Sequence, residues 1–403
     1  MSQKHFKLLI LGAGSGGISV AARMKSKINP TDIAIIDPSD THYYQPLWTL
    51  AGAGVIKKEK SFKLQKDLIP KGVQWIQRSV VDIDPSQKKV SLKDGTSVGY
   101  DFLVVALGLR LAWEKIKGLD GHLGKNGICS IYEYNQVDST SAMLNEFKGG
   151  RAIFTMPPVP IKCAGAPQKI MYLADDIFRK NGVREKSTVN FATAGKVMFG
   201  IPVFSKALDE VVKRRAIETM FQHKLTAVDA ALKTATFEVT DAQGVVSENL
   251  IKFDLLHVVP PMTAPTIIIN GPLSAKEGDQ KGWLSVNKFS LQHTVFTDIF
   301  GIGDVTGVPN SKTGAAVRMQ APVVVKNLLD AMAGKPLSGS YNGYSSCPLI
   351  TGFGKVILAE FGYDGKLMPS FPIDATKERK SMWHLKKDLL PTLYWKAMLK
   401  GRL

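Results

Sequence analysis

Apolar and polar positions near the start of the chain follow a strand, turn, helix, strand order. The apolar run at 6–11 predicts a buried strand, 18–27 has helical spacing, and 32–36 predicts a second strand that ends at Asp37. Glycines at positions 12, 14 and 17 occupy the turn. They suit a tight turn, close approach of a pyrophosphate and close packing of helix on strand. The pattern predicts a dinucleotide-binding βαβ unit, although an ordinary glycine-rich turn would share the glycines.

Apolar runs along the rest of the chain predict two α/β domains. Strands are expected at 73–77, 79–83, 89–92, 101–108, 151–156, 187–194, 253–259, 295–302 and 354–361, with helices at 166–180, 204–223 and 313–328. The predicted boundaries are 1–110 and 266–335 for the first domain, 111–265 for the second, and 336–403 for a C-terminal region. This succession resembles flavoproteins of the disulfide reductase type, which have two Rossmann-like dinucleotide-binding domains.

The turn after the second domain's first strand differs from that pattern. It reads Pro157-Pro158-Val159-Pro160-Ile161 rather than a glycine turn, and prolines with a bulky Ile do not cradle a pyrophosphate. The sequence therefore predicts that a second, nicotinamide-binding site is absent. A second flavin-type fingerprint does occur late in the chain, where Asp304 follows a strand and precedes a helix. Simple helix capping is the alternative for Asp304.

FAD is the cofactor predicted from the two fingerprints. Asp37 is expected to bind a ribose diol, Asp304 a ribityl hydroxyl, and Lys312 the negative charge of a reduced ring. Val80 and Val81 are placed on a parallel strand that meets the adenine. The predicted cofactor-binding residues are Gly12, Gly14, Ser15, Gly16, Gly17, Asp37, Gln45, Val81, Ala106, Gly108, Gly303, Asp304 and Lys312.

The net charge of the chain suggests a negatively charged binding partner. The 403 residues carry a formal charge of +17, which suggests a phospholipid or nucleic-acid surface. No nucleic-acid-binding motif accompanies the charge, so a membrane is favoured and nucleic acid is not expected. No apolar run is long enough to span a bilayer, and no targeting segment is recognisable before the first strand.

Three cysteines supply the candidate redox chemistry. They are too few and too scattered for a disulfide scaffold or a zinc site, and no metal site is predicted. Cys163 precedes a helix and follows Lys162, and both features should lower its thiol pKa. Cys347 is expected in a turn before the strand at 354–361. Burial as an ordinary apolar residue is the alternative for each of them, and for Cys129 it is favoured.

Longer motifs resemble one family. They are Lys162-Cys163-Ala164-Gly165-Ala166-Pro167-Gln168-Lys169-Ile170-Met171-Tyr172-Leu173, Gly301-Ile302-Gly303-Asp304, Ser311-Lys312-Thr313 and Ser346-Cys347-Pro348-Leu349-Ile350-Thr351-Gly352. Together they resemble the sulfide:quinone oxidoreductases, especially the mitochondrial-type branch, over essentially the whole chain.

The resemblance implies that Cys163 and Cys347 form a redox pair, bridged as a disulfide or a trisulfide beside the flavin. Sulfide would attack Cys347, a small acceptor such as a thiol, sulfite or sulfide would take the sulfane sulfur, and FAD would pass two electrons to a membrane quinone. Cys129 resembles a third cysteine of bacterial members, and its role is open. A leaving thiol of low pKa, as expected for Cys163, favours this exchange.

The basic tail at 377–403 is the candidate membrane contact. It carries eight basic and two acidic residues, a net charge of +6. An apolar stripe repeats with helical spacing at 390, 393, 394, 397 and 398, which suits a helix in the membrane interface. Packing of the same stripe on the protein's own domain is the alternative. Phe353 and Tyr394 are candidate quinone contacts.

These features predict an enzyme bound peripherally to a membrane. The expected location is a bacterial inner membrane, with the mitochondrial inner membrane as the alternative for a trimmed chain. A homo-oligomer is left open. The competing functions are a type II NADH:quinone dehydrogenase, disfavoured by the missing second glycine motif, and a non-catalytic persulfide sensor.

Overall fold

The computed structural model describes residues 4–403. Its strands are β1 (Lys4–Leu11), β2 (Ile33–Ile36), β3 (Thr41–Tyr43), β4 (Phe62–Leu64), β5 (Gln74–Ile76), β6 (Val80–Asp84), β7 (Lys89–Leu92), β8 (Ser97–Val105), β9 (Arg110–Leu111), β10 (Ile128–Cys129), β11 (Gly150–Met156), β12 (Ser187–Thr193), β13 (Glu218–Met220), β14 (His223–Asp229), β15 (Thr234–Thr240), β16 (Val246–Lys252), β17 (Leu255–His257), β18 (Met262–Thr263), β19 (Ile299–Gly301), β20 (Ser345–Gly352) and β21 (Lys355–Phe361). Its helices are α1 (Ser15–Met24), α2 (Trp48–Gly52), α3 (Val137–Glu146), α4 (Ala166–Lys180), α5 (Pro202–Arg214), α6 (Thr266–Ile269), α7 (Gly314–Met332), α8 (Lys380–His384) and α9 (Leu390–Lys396).

A seven-stranded sheet carries the first predicted unit. Its order is β5-β2-β1-β8-β7-β6, with β19 also beside β8. β5, β2, β1, β8 and β19 are parallel, whereas β6 and β7 pair antiparallel. The four side chains of 8–11 are fully buried, because both faces of the parallel part are covered. Burial on both faces explains why this strand is a continuous apolar run.

A second, parallel sheet carries the segment with Cys163. Its order is β10-β17-β11-β12-β13, and α4 packs beside β11 and β12. The long α7 and α1 pack together against the first sheet. The predicted α/β fold class with two dinucleotide-domain sheets is confirmed.

Two glycines shape the turn between β1 and α1. Gly12 has a φ of +97°, and a Cβ on it would lie 2.5 Å from the Ala106 carbonyl oxygen. A Cβ on Gly17 would lie 1.9 Å from the Gly12 carbonyl oxygen. Any larger residue would therefore push the helix away from the strand, which is the packing role predicted for Gly17.

The C-terminal region combines a hairpin with the tail. β20 and β21 pair antiparallel, and the tail follows as α8, a π-helical turn at Leu385–Leu389, and α9. Tyr394 and Met398 of the predicted apolar stripe are buried, and the other stripe positions are half-buried. The stripe therefore packs on the protein itself. Among residues 4–403, no helix combines the length and the apolar character needed to cross a membrane.

The predicted helix at 204–223 is wrong at its C-terminal end. α5 stops at Arg214, and Ala216 adopts a left-handed φ of +51°. The next residues form β13, which pairs with β12 at Asn190 opposite Glu218. The free edge of β12 thus takes up residues that by spacing alone could have continued the helix.

Two other local predictions need correction. Cys347 lies within β20, opposite Ala359, rather than in a turn before the strand. The predicted strand at 295–302 is reduced to β19. A three-stranded antiparallel sheet of β14, β15 and β16, which the sequence analysis did not predict, lies along the chain between β13 and β17 of the second sheet.

The Gly17→Ala variant is expected to lose stability. The added methyl would overlap the Gly12 carbonyl, and such overpacking costs about 1–3 kcal/mol. Gly14→Ala is the matched control, since Gly14 has a φ of −72° and no atom within 4 Å of its added Cβ. Thermal unfolding of the nucleotide-free proteins should show a lowered midpoint for Gly17→Ala alone. Equal midpoints for the two variants would contradict this account.

Candidate active site

Cys163 and Cys347 lie side by side although 184 positions separate them. Cys163 sits between β11 and α4, Cys347 sits on β20, and the two Sγ atoms are 3.4 Å apart. α4 packs directly on β20. Gly165 permits this approach, because a Cβ there would lie 2.8 Å from the Cys347 Sγ and 2.2 Å from a Leu349 methyl.

The backbone at Cys163 is strained. Its φ is +82°, in the left-handed region, and its carbonyl accepts a hydrogen bond of 2.6 Å from the Ala166 N–H. Residues other than glycine rarely adopt this conformation, and those that do are often found at functional sites. This turn directs the Cys163 sulfur toward Cys347, and α4 begins three residues later at Ala166.

Lys169 supplies the positive charge at the pair. It is buried on α4, and its Nζ lies 3.3 Å from the Cys163 Sγ. The hydrogen bond from Cys347 and the charge of Lys169 hold the pKa of Cys163 well below its usual range, despite the opposing effect of burial. The pKa of Cys347 is raised well above its usual value by its bond to Cys163 and by burial. The arrangement therefore favours a thiolate at Cys163 and a neutral thiol at Cys347.

The lysine predicted to activate Cys163 is not the one in contact with it. The Nζ of Lys162 donates to Gln45 Oε1 at 2.5 Å and lies over the rings of Trp48 and Tyr132. Burial lowers the pKa of Lys162 to about 8. The lysine that contacts Cys163 is instead Lys169 of α4. The order of residues along the chain does not reveal this contact.

A signal for Lys169 was present in the sequence. Lys169, Leu173 and Ile177 follow one another at four-residue spacing, so they share a face of α4. All three are buried. A lysine on the apolar face of a helix needs a counter-charge or a hydrogen-bond partner. The sequence analysis gave Lys169 no role.

The tail adds a second buried lysine. Lys386, in the π-helical turn, donates from Nζ to the Pro46 carbonyl at 3.2 Å. Burial and the charge of Lys169 lower its pKa to about 8, while the two cysteine sulfurs act in the opposite direction. This residue was counted among the basic residues of a membrane-facing tail, but the fold turns it inward.

An ion-pair network ties α4 to the hairpin that carries Cys347. Asp176 Oδ2 accepts from the Phe353 N–H at 2.7 Å, and its Oδ1 accepts from Arg215 Nη1 at 2.7 Å. The same Nη1 donates to Asp175 Oδ2 at 2.7 Å. A Cβ on Gly352 would lie 2.2 Å from Arg215 Nη2, so glycine lets the hairpin turn cover the guanidinium.

The glycine turn borders a cavity of about 370 Å³. Its lining includes Gly12, Gly14, Asp37, Ala106 and Gly108. Gly14 and Gly108 have open space where a Cβ would stand. Helix N-termini with exposed N–H groups bind phosphates well, and α1 begins at this cavity. The residues present fit the pyrophosphate and ribose of a dinucleotide.

Asp37 is held as a hydrogen-bond acceptor at this cavity. Its Oδ2 accepts from the Ala13 N–H at 2.6 Å, and its Oδ1 accepts from the Ser39 N–H at 2.8 Å. Burial raises the pKa of Asp37, and these two bonds oppose that rise.

Gly16 does not line the cavity but packs against Ile302, where a Cβ would be 2.9 Å from a side-chain carbon.

The strand that carries Val81 is not parallel to its neighbour, although the sequence analysis expected it to be. β6 pairs antiparallel with β7 rather than lying in the parallel part of the sheet, and its register is interrupted between Val80 and Asp82. Val81 is 52% exposed, whereas Val80, Ser79 and Arg78 line the cavity. The irregular register turns Val81 to solvent and leaves its neighbour beside the cavity.

Asp304 and Lys312 form the far end of the predicted cofactor site. Burial raises the pKa of Asp304, opposed by the charges of Lys312 and Lys162. Lys312 is buried, donates to the Thr306 carbonyl at 2.9 Å, and has a pKa lowered to about 8 by burial. Gly303 adopts a φ of +79°. Lys162 and Lys312 also meet in a backbone bridge, which joins this end to the cysteine loop.

The two candidate quinone residues occupy different environments. The Tyr394 hydroxyl shares hydrogen bonds with Ser15 Oγ at 2.7 Å and His42 Nε2 at 2.5 Å. Tyr394 is therefore buried over the glycine turn. Phe353 is 40% exposed, and its ring lies 6.3 Å from that of Trp383.

Cys129 stands apart from the pair. It is fully buried on β10, opposite His257 of β17. Burial raises the pKa of this thiol to about 12. A neutral, enclosed thiol is a poor nucleophile.

Comparisons with known proteins identify relatives of this chain. A family model described as pyridine nucleotide-disulphide oxidoreductase matches residues 6–147. The chain is 44% identical to the mitochondrial sulfide:quinone oxidoreductase of Dictyostelium discoideum, over 98% of this chain and 86% of that protein. It is 41% identical to the mitochondrial sulfide:quinone oxidoreductase of Mus musculus, over 99% and 88%.

A solved structure shares the fold. The sulfide:quinone oxidoreductase of the hyperthermophilic bacterium Aquifex aeolicus superposes with a TM-score of 0.79 and 21% identity. The superposition covers 99% of this chain and 92% of that chain.

Replacing Lys169 by Met is expected to raise the pKa of Cys163, because the nearest positive charge is removed from its thiolate. The rate of Cys163 alkylation in the reduced protein should then rise at a higher pH than in the unmodified protein. Mass spectrometry of the labelled peptide identifies the site.

Lys162→Met is the matched control for this prediction. It removes a half-buried lysine next to Cys163 in sequence, yet Lys162 contacts Gln45. The alkylation profile of this variant should stay close to that of the unmodified protein. A larger shift for Lys162→Met than for Lys169→Met would contradict the assignment.

Proposed function

This chain belongs to the sulfide:quinone oxidoreductase family, and we propose that its Cys163–Cys347 pair is the centre at which sulfide is oxidised. The protein is a flavin-dependent oxidoreductase that oxidises sulfide and reduces quinone, as the sequence analysis predicted. With relatives of this family matching nearly the whole chain, neither the NADH dehydrogenase nor the persulfide sensor is favoured.

The observation that carries the cysteine assignment is the 3.4 Å separation of the two sulfurs beside Lys169. A direct disulfide would need them about 2.05 Å apart. Two bonds of that length sharing one sulfur at a near-tetrahedral angle span about 3.3 Å. The pocket therefore suits the reduced pair or a trisulfide, and a small shift of β20 against α4 would suit a disulfide.

The residues have distinct roles in the first step. Hydrosulfide attacks the Cys347 Sγ of the disulfide, the bond to Cys163 breaks, and Cys163 leaves as a thiolate. The charge of Lys169 stabilises that thiolate, which makes Cys163 the better leaving group. Cys347 then carries the new sulfur as a persulfide.

The cycle closes by loss of the outer sulfur. A small nucleophile, for which we propose a thiol, sulfite or sulfide, bonds to that sulfur and breaks its bond to Cys347. Cys163 and Cys347 then reform their disulfide with the release of two electrons. When bound, the flavin would accept these electrons and pass them to a quinone.

FAD is the flavin that we propose. The cavity beside Gly12 and Gly14 suits a pyrophosphate, and Asp37 offers a carboxylate to an adenosine ribose. Asp304 would bind the ribityl chain, and Lys312 would lie near the ring system. Gln45, held by Lys162, would border the ring from the side of the cysteines.

Phe353 is the more accessible of the proposed quinone contacts. It is exposed on the hairpin turn beside Trp383 of the tail. Tyr394, whose hydroxyl is already bonded to Ser15 and His42, is the less accessible one. A lipid-soluble quinone would reach this region from a membrane surface.

We propose that the outer face of the tail binds a membrane. Its apolar stripe is occupied by contacts within the protein, so binding would depend on residues that stay exposed, among them Leu389, Lys396 and Lys400. Several relatives carry the word mitochondrial in their names, and both the mitochondrial and the bacterial inner membrane are candidate locations.

Sulfide should bleach the flavin absorbance of the anaerobic protein, and a short-chain quinone should restore it, whereas NADH alone should not. Cys163→Ser and Cys347→Ser should each lower the sulfide-dependent bleaching rate by at least about a thousandfold, because neither variant can form the bridge. Cys129→Ser is the matched control, since that thiol is enclosed elsewhere, and it should bleach at a normal rate. Normal bleaching in either of the first two variants would remove that cysteine from the mechanism.

Replacing Lys396 and Lys400 by Gln should weaken binding to anionic vesicles. Each basic residue near such a surface contributes about 1 kcal/mol, so the double variant should bind roughly thirtyfold more weakly. Exposed Lys93 and Lys335, which lie outside the tail, give the control variant Lys93→Gln with Lys335→Gln. Vesicle co-sedimentation measures both. Equal loss in the two variants would show that overall charge, rather than the tail, is responsible.

A further inference from the structure

β16 is an edge strand with an unusual surface. It pairs with β15 on one side, and no other strand within residues 4–403 pairs with it. Its first five residues are exposed, among them Val246 at 60% and Leu250 at 66%. Proteins usually protect such edges with bulges, prolines or a covering element, because a free apolar edge pairs with other strands.

The hydrogen-bond pattern shows which positions face outward. The Phe253 N–H donates to the Lys233 carbonyl, and the Asp241 N–H donates to the Val245 carbonyl. Bonded pairs alternate along an antiparallel ladder, so the odd-numbered residues from 245 to 253 direct their N–H and C=O groups toward β15. The even-numbered positions, 246, 248, 250 and 252, therefore direct theirs to the free edge.

One register of β16 with a second copy of itself satisfies both backbone and side chains. With the two-fold axis at Leu250, Leu250 faces its counterpart, and Glu248 faces Lys252 in both halves. All of these are outward-facing positions, so three bonded pairs would share about six backbone hydrogen bonds. The paired side chains lie on one face of the sheet, which joins the exposed leucines and brings opposite charges together.

Charge also favours this part of the surface. Residues 223–252 contain three lysines and four acidic residues, a net charge of −1, whereas the whole chain carries +17. Two copies of a chain with this net charge repel each other. The small antiparallel sheet adds little to that repulsion, because its own net charge is close to zero.

We propose that β16 is the interface of a homodimer in which two three-stranded sheets join into one six-stranded antiparallel sheet. The interface is isologous, since the same strand serves both copies. It is independent of the cysteine chemistry, because β14, β15 and β16 contain no residue of the proposed redox site. Its occupant is a second copy of this chain, selected by the Glu248 and Lys252 pairs and by Leu250 at the axis.

Disulfide trapping tests the register directly. In a bonded antiparallel pair the Cα atoms are about 5.5 Å apart, a distance that a disulfide spans. The full-length flavin-loaded Leu250→Cys variant should therefore form a cross-linked dimer on mild oxidation. Leu232→Cys is the matched control, because Leu232 is 69% exposed but lies in the turn between β14 and β15. A cross-link no stronger for Leu250→Cys than for Leu232→Cys would overturn the proposal.

Charge reversal tests the same register without cysteines. Glu248→Lys and Lys252→Glu should each raise the dimer dissociation constant at least about fivefold, because like charges then meet twice across the axis. The double variant Glu248→Lys with Lys252→Glu should recover the original constant. Sedimentation velocity over a concentration series measures all four proteins. Failure of the double variant to recover, or a monomeric unmodified protein at all concentrations, would refute the interface.

Discussion

The contact between the Cys163 sulfur and the buried ammonium of Lys169 is the interaction on which the site depends. A charge removed from water is costly unless an opposite charge lies next to it. Burial alone would lower the pKa of Lys169, but the adjacent Cys163 and Cys347 sulfurs outweigh it and raise that pKa. Each group thus keeps the other ionised. In the proposed mechanism, Lys169 would make Cys163 a stable leaving thiolate, and Cys347 would be the sulfur that sulfide attacks.

That contact requires α4 and β20 to hold a fixed relation. Gly165 lets β20 approach the start of the helix, and the Asp176 carboxylate binds the Phe353 N–H at the hairpin turn beyond Cys347. Arg215, on the end of α5, bonds the same carboxylate and closes the network. Close packing at one end and charged hydrogen bonds at the other therefore determine the distance between the sulfurs. Small movements of the hairpin would convert an open pair into a bridged one.

The tail belongs to this assembly rather than being an appendage. Lys386 brings positive charge toward the cysteines, and Tyr394 binds Ser15 and His42 above the glycine turn. Glu378 accepts from Arg214 and from the Thr351 hydroxyl, which links the tail to the hairpin. A tail that completes the site on its inner face can still present basic residues on its outer face. Such an arrangement would bring a membrane surface, the quinone region and the cysteine hairpin into one structural unit.

The sequence by itself determined the βαβ unit, the α/β class and the family, because these depend on local periodicity, glycine spacing and long motifs. The family resemblance also singled out Cys163 and Cys347, whose sulfurs lie 3.4 Å apart in the structure. The sequence analysis also predicted that the second strand ends at Asp37. In the structure, Asp37 lies at the cavity. Only the tertiary structure decided which lysine meets Cys163, that Cys347 lies in a strand, and that Val80 rather than Val81 borders the cavity. It also decided that the tail's apolar stripe packs inward. These features depend on strand pairing, register and contacts between residues far apart in the chain, which spacing along the chain does not specify.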